Sequence, residues 1–304
     1  MKKDENKNDY SRDKMVKIGK INRLQVVKSV DFGIYLDGEE AGEILLPSRY
    51  LPAGCAPGEW LEVFIYRDSE DRLIATTETP FAMVDQCAYL KVVAINRIGA
   101  FLDWGLPKDL LVPFSEQRKP MQVGHSYVVF LYLDGETDRV AASTRLHDHL
   151  SEKSFYFKPQ QAVDLLISNR TDMGYQAVVD GTHLGLIYSN EIFQPLRVGQ
   201  KVHGYIKQIR PDLKIDLCLQ LDNQQTRDAL ETRILDYLKK HDSVSTLTDK
   251  SPPEAIYKAF GVSKKKYKKA LGGLYKSKLI LIEKQKITLL SRPEERSSPW
   301  AQER

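Results

Sequence analysis

A chain of 304 residues, 42% hydrophobic and 28% charged, has the balance of ordinary folded domains, and at that length several of them are expected. No apolar run approaches the roughly 18 residues of a membrane span, and the start MKKDENKNDYSRDK mixes both charge signs without an apolar stretch. A flexible tail, not a secretion signal, and a cytoplasmic protein with no membrane partner are the expectation. Cys55, Cys87 and Cys218 are isolated in sequence, so neither a disulfide framework nor a CxxC metal site is suggested.

Along the chain, glycines mark an internal repeat. Gly33, Gly99 and Gly174 are each followed 25 positions later by another, at Gly58, Gly124 and Gly199. Fourteen positions after each leading glycine stand Pro47, Pro113 and Tyr188, closing the apolar runs Ile44-Leu45-Leu46, Leu110-Leu111-Val112 and Leu186-Ile187. Ile74-Ala75-Thr76, Val140-Ala141-Ala142 and Ile215-Asp216-Leu217 fall in one register farther on. A period of about 65 to 75 residues exceeds that of solenoid units and suits small domains, each with its own core.

In the first copy, short runs rich in β-branched and aromatic residues predict five strands: Lys17 to Val27, Gly33 to Asp37, Gly42 to Leu46, Trp60 to Arg67 and Leu73 to Thr77. Five such strands, broken at Asp37-Gly38, Pro57-Gly58 and Asp68 to Asp71, suit a small barrel with few exposed edges. The leading glycine is a bulge or tight bend opening the second strand, and the later one is the turn into the fourth.

The formal net charge of +4 conceals a polarity. The three repeats together are mildly acidic, whereas Arg227 to Leu290 is strongly basic. There the period changes as well: Ala229, Ile234, Leu235 and Leu238 recur at helical spacing, predicting a first helix. Ser251 is expected to cap a short second helix that carries Ile256, Tyr257 and Phe260 and ends at Gly261. Ser263 caps a third, through about Lys278, and Leu279 to Leu290 reads as two strands, which gives the winged-helix order. In that third helix Tyr267, Leu271, Leu274 and Tyr275 form the expected packing stripe, while Lys264, Lys265, Lys266, Lys268 and Lys269 face out. Gly272-Gly273 costs about 1 kcal/mol per glycine against alanine, and close packing on the first helix is the expected reason.

The repeats resemble the S1 domain, an oligonucleotide-binding barrel of bacterial RNA-binding proteins. Gly33-Ile34-Tyr35-Leu36 and Gly99-Ala100-Phe101-Leu102 match its glycine-plus-aromatic second strand; Gly174-Tyr175-Gln176-Ala177 matches with the aromatic displaced by one. Three such units followed by SPPEAIYKAFGVSKKKYKKALGGLYKSKLI further resemble the conserved virulence factor B family, with three S1 domains and a winged helix. The resemblance implies a mainly β chain with a C-terminal α+β domain: three tandem five-stranded S1/OB-fold barrels at 16–79, 80–150 and 155–222, a winged helix at 227–290, and tails at 1–15 and 291–304.

It also implies single-stranded RNA as partner and a post-transcriptional role in gene expression. An exposed ring offers a platform for an unstacked base while cations track the phosphates. By match to the S1 pattern, Phe32, Tyr35 and Phe101 are platforms, and Phe32 and Tyr35 share a side only if Gly33 bulges. S1 domains often carry a histidine where this chain has Pro47, Pro113 and Tyr188, so repeat three, with Tyr188, Tyr175, Lys207, Arg210 and Lys214, is the favoured binding unit. The lysines of the third helix occupy the recognition position of a helix-turn-helix variant but include no Arg, Asn or Gln for bidentate base contacts, so phosphate attraction is expected.

Catalysis has little support. The carboxylates form no recurring cluster, no GxxxxGK[ST] loop is present, and His147-Asp148-His149 reads as linker. No cofactor or metal is expected. Two other readings stand beside RNA binding: a DNA-binding transcription regulator acting through the winged helix, and an adaptor docked on the ribosome or RNA polymerase.

Overall fold

A computed structural model describes residues 15–192, 195–221 and 223–290; of the two expected tails, only Met15 falls among them. Barrel 1 is built from β1 (Ile21–Val30), β2 (Gly33–Asp37), β3 (Glu43–Pro47), β4 (Trp60–Arg67) and β5 (Leu73–Thr76), closed in the order β1-β2-β3-β5-β4. Barrel 2 repeats this with β6 (Cys87–Ile95), β7 (Gly99–Asp103), β8 (Leu110–Pro113), β9 (Ser126–Leu133) and β10 (Val140–Ser143), and a one-turn helix α1 (Leu146–His149) follows. Barrel 3 comprises β11 (Ala162–Thr171), β12 (Gly174–Val179), β13 (His183–Tyr188), β14 (Lys201–Ile209) and β15 (Ile215–Cys218).

Both glycines of the repeat have a physical reason. The leading glycine pairs with the end of the third strand, as in Gly33 with Pro47 and Gly99 with Pro113. A Cβ on Gly33, Gly99 or Gly174 would fall on the carbonyl oxygen of Leu46, Val112 or Ile187, so only glycine admits the approach. Gly58, Gly124 and Gly199 instead adopt φ of +94°, +83° and +85° in open space, where their use is the left-handed turn. Each turn docks on the first strand of its own barrel: Gly58 N–H donates to Val26 O at 2.8 Å, Gly124 to Val92 at 2.9 Å and Gly199 to Ile167 at 2.8 Å. Immediately after that residue the first strand bulges, between Val26 and Lys28, Val92 and Ala94, and Ile167 and Asn169. The bulge bends one long strand so that it pairs with the fourth strand before it and the second after it, and parallel pairing of the third and fifth strands closes the barrel.

The first strand starts at Ile21, later than the sequence reading. Gly19 turns with φ +76° and Lys17 N–H is taken by Asn22 Oδ1 at 2.8 Å, which spends the preceding residues on a turn.

After barrel 3 come α2 (Gln224–Lys240), β16 (Val244–Ser245), α3 (Pro253–Phe260), α4 (Lys264–Lys276), β17 (Ile280–Ile282) and β18 (Ile287–Leu289), with a sheet ordered β16-β18-β17. Asn223 and Thr226 form a capping box at the head of α2, and Leu230, Ile234 and Leu238 pack on Ile256, Phe260, Tyr267, Leu271 and Leu274. Ala229 is exposed and Leu230 takes its expected place in the core. Ser251 does not cap α3: its hydroxyl accepts from Thr248 N–H at 2.8 Å, and Pro252 stands at the cap position. Gly261 ends α3 with φ +65°, and Ser263 caps α4 by accepting from Lys266 N–H at 3.3 Å.

The chain divides into two compact units. Barrels 1 and 2, with Asp180–Leu184, form the first; the rest of barrel 3 and the winged helix form the second. Within the first unit, Phe64 and Tyr66 on the outer face of β4 meet Trp104 of barrel 2 at 5.7 and 6.4 Å between ring centres. Trp104 Nε1–H donates to Lys108 O at 2.6 Å, and the Lys108 ammonium donates to the carbonyls of Arg67 and Asp68. Burial lowers the Lys108 pKa.

Candidate nucleic-acid interface

The bulge decides which residues of each barrel face out beside the β-hairpin. In barrel 1 it sets Lys28 opposite Tyr35, with the Lys28 ammonium 4.8 Å from the centre of the Tyr35 ring. Phe32 lies in the turn between β1 and β2, is 56% exposed, and meets Tyr35 edge-on at 6.4 Å. The two rings therefore share a side because Phe32 is outside the strand alternation and the bulge sits in β1, not at Gly33. Barrel 1 thus presents two rings and a cation together, as an S1-type base platform requires.

The other two barrels differ at the same register positions. In barrel 2, Ala94 opposes Phe101, and Ile98 and Phe114 are exposed nearby, so the rings are kept and the cation is lost. In barrel 3, Asn169 opposes Gln176 and exposed Met173 occupies the turn. Tyr175 falls in the register position of buried Ile34 and is itself half-buried against the barrel core. Its ring is thus placed on the opposite parity from Tyr35. Tyr188 stands half-buried at the end of β13.

The cations expected on barrel 3 are held by carboxylates. Lys207 donates to Glu191 at 2.7 Å, which raises its pKa. Arg210 Nε lies 3.2 Å from buried Asp216, whose other oxygen accepts from Gln208 Nε2 at 2.7 Å. Asp216 occupies the register position of Ile74 in β5, where a carboxylate needs this company. Lys214 lies across an isolated bridge from Lys153.

The α4 helix carries the strongest single-sign face. Tyr267, Ala270, Leu271 and Leu274 are buried, while Lys265, Lys268, Lys269, Tyr275 and Lys276 are exposed; Lys264 and Lys266 are half-buried. Tyr275, expected in the packing stripe, is 54% exposed and shares the lysine face, and Ala270 packs in its stead. Helical period explains this: residues 265, 268, 269, 272, 275 and 276 fall on one side. Gly272 meets nothing, which leaves the space between Lys268 and Tyr275 open, whereas a Cβ on Gly273 would meet the Glu231 carboxylate of α2. Close packing on the first helix thus accounts for one glycine of the pair. Tyr275, Lys276 and Lys28 escaped the sequence reading, though their spacing from the lysines and from Tyr35 was there to be read.

His149 serves packing. Its ring stacks on Phe130 and Tyr132 of β9 at 4.8 and 5.1 Å.

Comparison with known proteins fits this geometry. The S1-domain family model matches residues 18–78 and 86–145, and the CvfB-like winged helix domain matches residues 232–289. Conserved virulence factor B of Staphylococcus aureus (strain N315) is 31% identical over 250 residues, covering 76% of this chain and 80% of its own. The chain belongs to the conserved virulence factor B family. A Bacillus subtilis (strain 168) protein, YitL, is 29% identical over 287 residues, covering 90% of this chain and 93% of its own. A solved structure, a multidomain protein with nucleic acid binding domains from Streptococcus pneumoniae TIGR4, is 23% identical with a TM-score of 0.40, covering 90% of this chain and 98% of its own.

Within this conserved virulence factor B member, barrel 3 lies outside the two S1 matches yet keeps their strand order, glycine register and bulge. S1 domains and a winged helix point to nucleic acid as the partner, and neither match is to an enzyme family. Among the described residues, no helix is long and apolar enough to cross a membrane.

Proposed function

We propose that this protein binds single-stranded RNA without catalysis and acts on gene expression after transcription. The observation that carries the reading is the exposed α4 face of Lys265, Lys268, Lys269 and Lys276 around Tyr275, on the recognition helix of a winged helix that follows three S1-type barrels. Lysines attract phosphate without reading bases, and Tyr275, Phe32 and Tyr35 offer rings to unpaired bases. A duplex keeps its bases stacked, so a surface of rings and flexible cations favours the single strand.

The test compares unstructured RNA with duplex DNA of equal length, across a salt series. RNA is expected to bind more tightly, with log affinity falling against log salt by about 0.7 per phosphate neutralised. Tighter binding of duplex DNA would turn the winged helix into a DNA reader. A salt-independent RNA affinity would remove the lysine face from the account.

A further inference from the structure

The repeat permits a comparison of the outer face of the fourth strand in all three barrels. Phe64, Phe130 and Tyr205 hold one register position, opposite Ile21, Cys87 and Ala162 on the first strands. Two residues later stand Tyr66, Tyr132 and Lys207. In barrel 1 the pair is covered by Trp104, and in barrel 2 by His149. In barrel 3, among the described residues, no ring covers Tyr205, and Lys207 has replaced the second aromatic.

Where the covering ring would be, the second unit has a cleft. One cavity of about 320 Å³ is walled by Tyr205, Gln220, Arg227, Arg233, Lys266 and Lys269, with apolar Leu219, Leu230 and Val262 beneath. A second, of about 310 Å³, shares Gln220 and Lys266 with it and adds Lys207, Glu191 and Lys265. Arg233 donates to Phe260 O at 2.8 Å and Lys266 to Leu221 O at 2.7 Å, so backbone bonds fix both side chains at the wall. The nearby carboxylates are Glu191, paired with Lys207, and Asp228 and Glu231 on α2; burial raises the Glu231 pKa, as does Asp228, while Arg227 lowers it. A ring without a cover, an apolar floor and a rim of cations are the parts a nucleotide needs, and the volume admits one such unit and no duplex.

We infer that this cleft seats a single nucleoside phosphate, its base on Tyr205 in the place that Trp104 and His149 fill in the other barrels, and its phosphate among Arg227, Lys266 and Lys269. The unit is either one nucleotide of a bound RNA or a free nucleotide; the first source rests on the RNA-binding reading above, the second does not.

The experiment titrates the full chain with adenosine 5′-monophosphate, adenosine and inorganic phosphate by calorimetry. The monophosphate is expected to bind saturably and at least about tenfold more tightly than either part. Tyr205→Ala is expected to weaken it about tenfold or more and Tyr205→Phe to keep it, with thermal unfolding checking that both variants are folded. Absence of saturable binding overturns the inference. So does a Tyr205→Ala variant that binds the monophosphate like the parent, or equal binding of monophosphate and phosphate, which describes a plain anion site. Displacement of labelled RNA by the monophosphate assigns the seat to an RNA unit, and simultaneous binding assigns it to a free nucleotide. RNA binding without monophosphate binding rejects the cleft alone, and the converse rejects the RNA reading alone.

Discussion

The first two barrels and the third share one strand order and one glycine register, yet use the outer face of the fourth strand in opposite ways. In barrel 1 that face is core: Phe64 and Tyr66 are buried beneath Trp104, and burial pushes the Tyr66 phenol up to about 12. In barrel 3 the same positions carry half-buried Tyr205 and a lysine beside a cationic cleft. A repeated fold offers the same patch three times, and what lies against it decides between scaffold and site. Stability should therefore concentrate on the face in barrel 1, and binding on the face in barrel 3.

The largest expected effect tests the stability half. Phe64→Ala should cost about 3 to 5 kcal/mol, because it empties a fully buried site between two barrels. Tyr205→Ala, at the same register, should cost about 1 kcal/mol or less, since its ring is half-exposed. Denaturant midpoints of the two variants decide it, and equal losses would erase the contrast.

Charge reversal on α4 comes next. Lys265, Lys268 and Lys269 changed together to glutamate should leave the helices intact by circular dichroism, because all three are exposed. At roughly 1 kcal/mol for each water-exposed phosphate contact, RNA affinity should fall by about 3 kcal/mol. Full affinity in a folded triple variant would make the lysine face a solubility feature.

Ring removal is smaller and separates the barrels. Tyr35→Ala should weaken single-stranded RNA by about 1 to 3 kcal/mol, the scale of one stacked base, because Phe32, Lys28 and Tyr35 converge on barrel 1. Tyr188→Ala, in the slot where S1 domains often carry histidine, tests barrel 3 on the same scale. A loss for Tyr188 and none for Tyr35 would move the binding platform to the third barrel.

The barrels and the winged helix were legible in the sequence because each rests on a local necessity. Gly33 must be glycine beneath the Leu46 carbonyl, Gly58 must turn left-handed, and Ser263 and Gly261 mark helix ends by their own backbone chemistry. The candidate site was legible only in part. Lysines at helical spacing announced the α4 face, but Tyr275 read as core because a ring three residues from Gly272 fits either side of the helix. Lys207 and Arg210 read as free cations because their partners, Glu191 and Asp216, arrive through barrel closure. Tyr205 carried no sequence signal, since what sets it apart is the missing cover, a property of the neighbouring element.

The smallest effect concerns α1. His149 stacks on Phe130 and Tyr132, its side chain 21% exposed, in the role that Trp104 plays for barrel 1. It buries less than a tryptophan and forms one turn of helix, so His149→Ala should cost about 0.5 to 1.5 kcal/mol, the range for an aromatic pair. His149→Phe should keep most of that, because a ring of similar outline can lie on the same two neighbours, whereas a role in metal binding would need the imidazole nitrogens. Thermal unfolding of both variants, with and without a chelator, separates the two. A Phe variant as stable as the parent and indifferent to chelation makes His149 a cover. If His149→Phe is instead as damaging as His149→Ala, the imidazole matters for its nitrogens, including the Nε2 that stands 3.8 Å from Glu116, and barrel 2 would no longer belong with barrel 1 in the comparison.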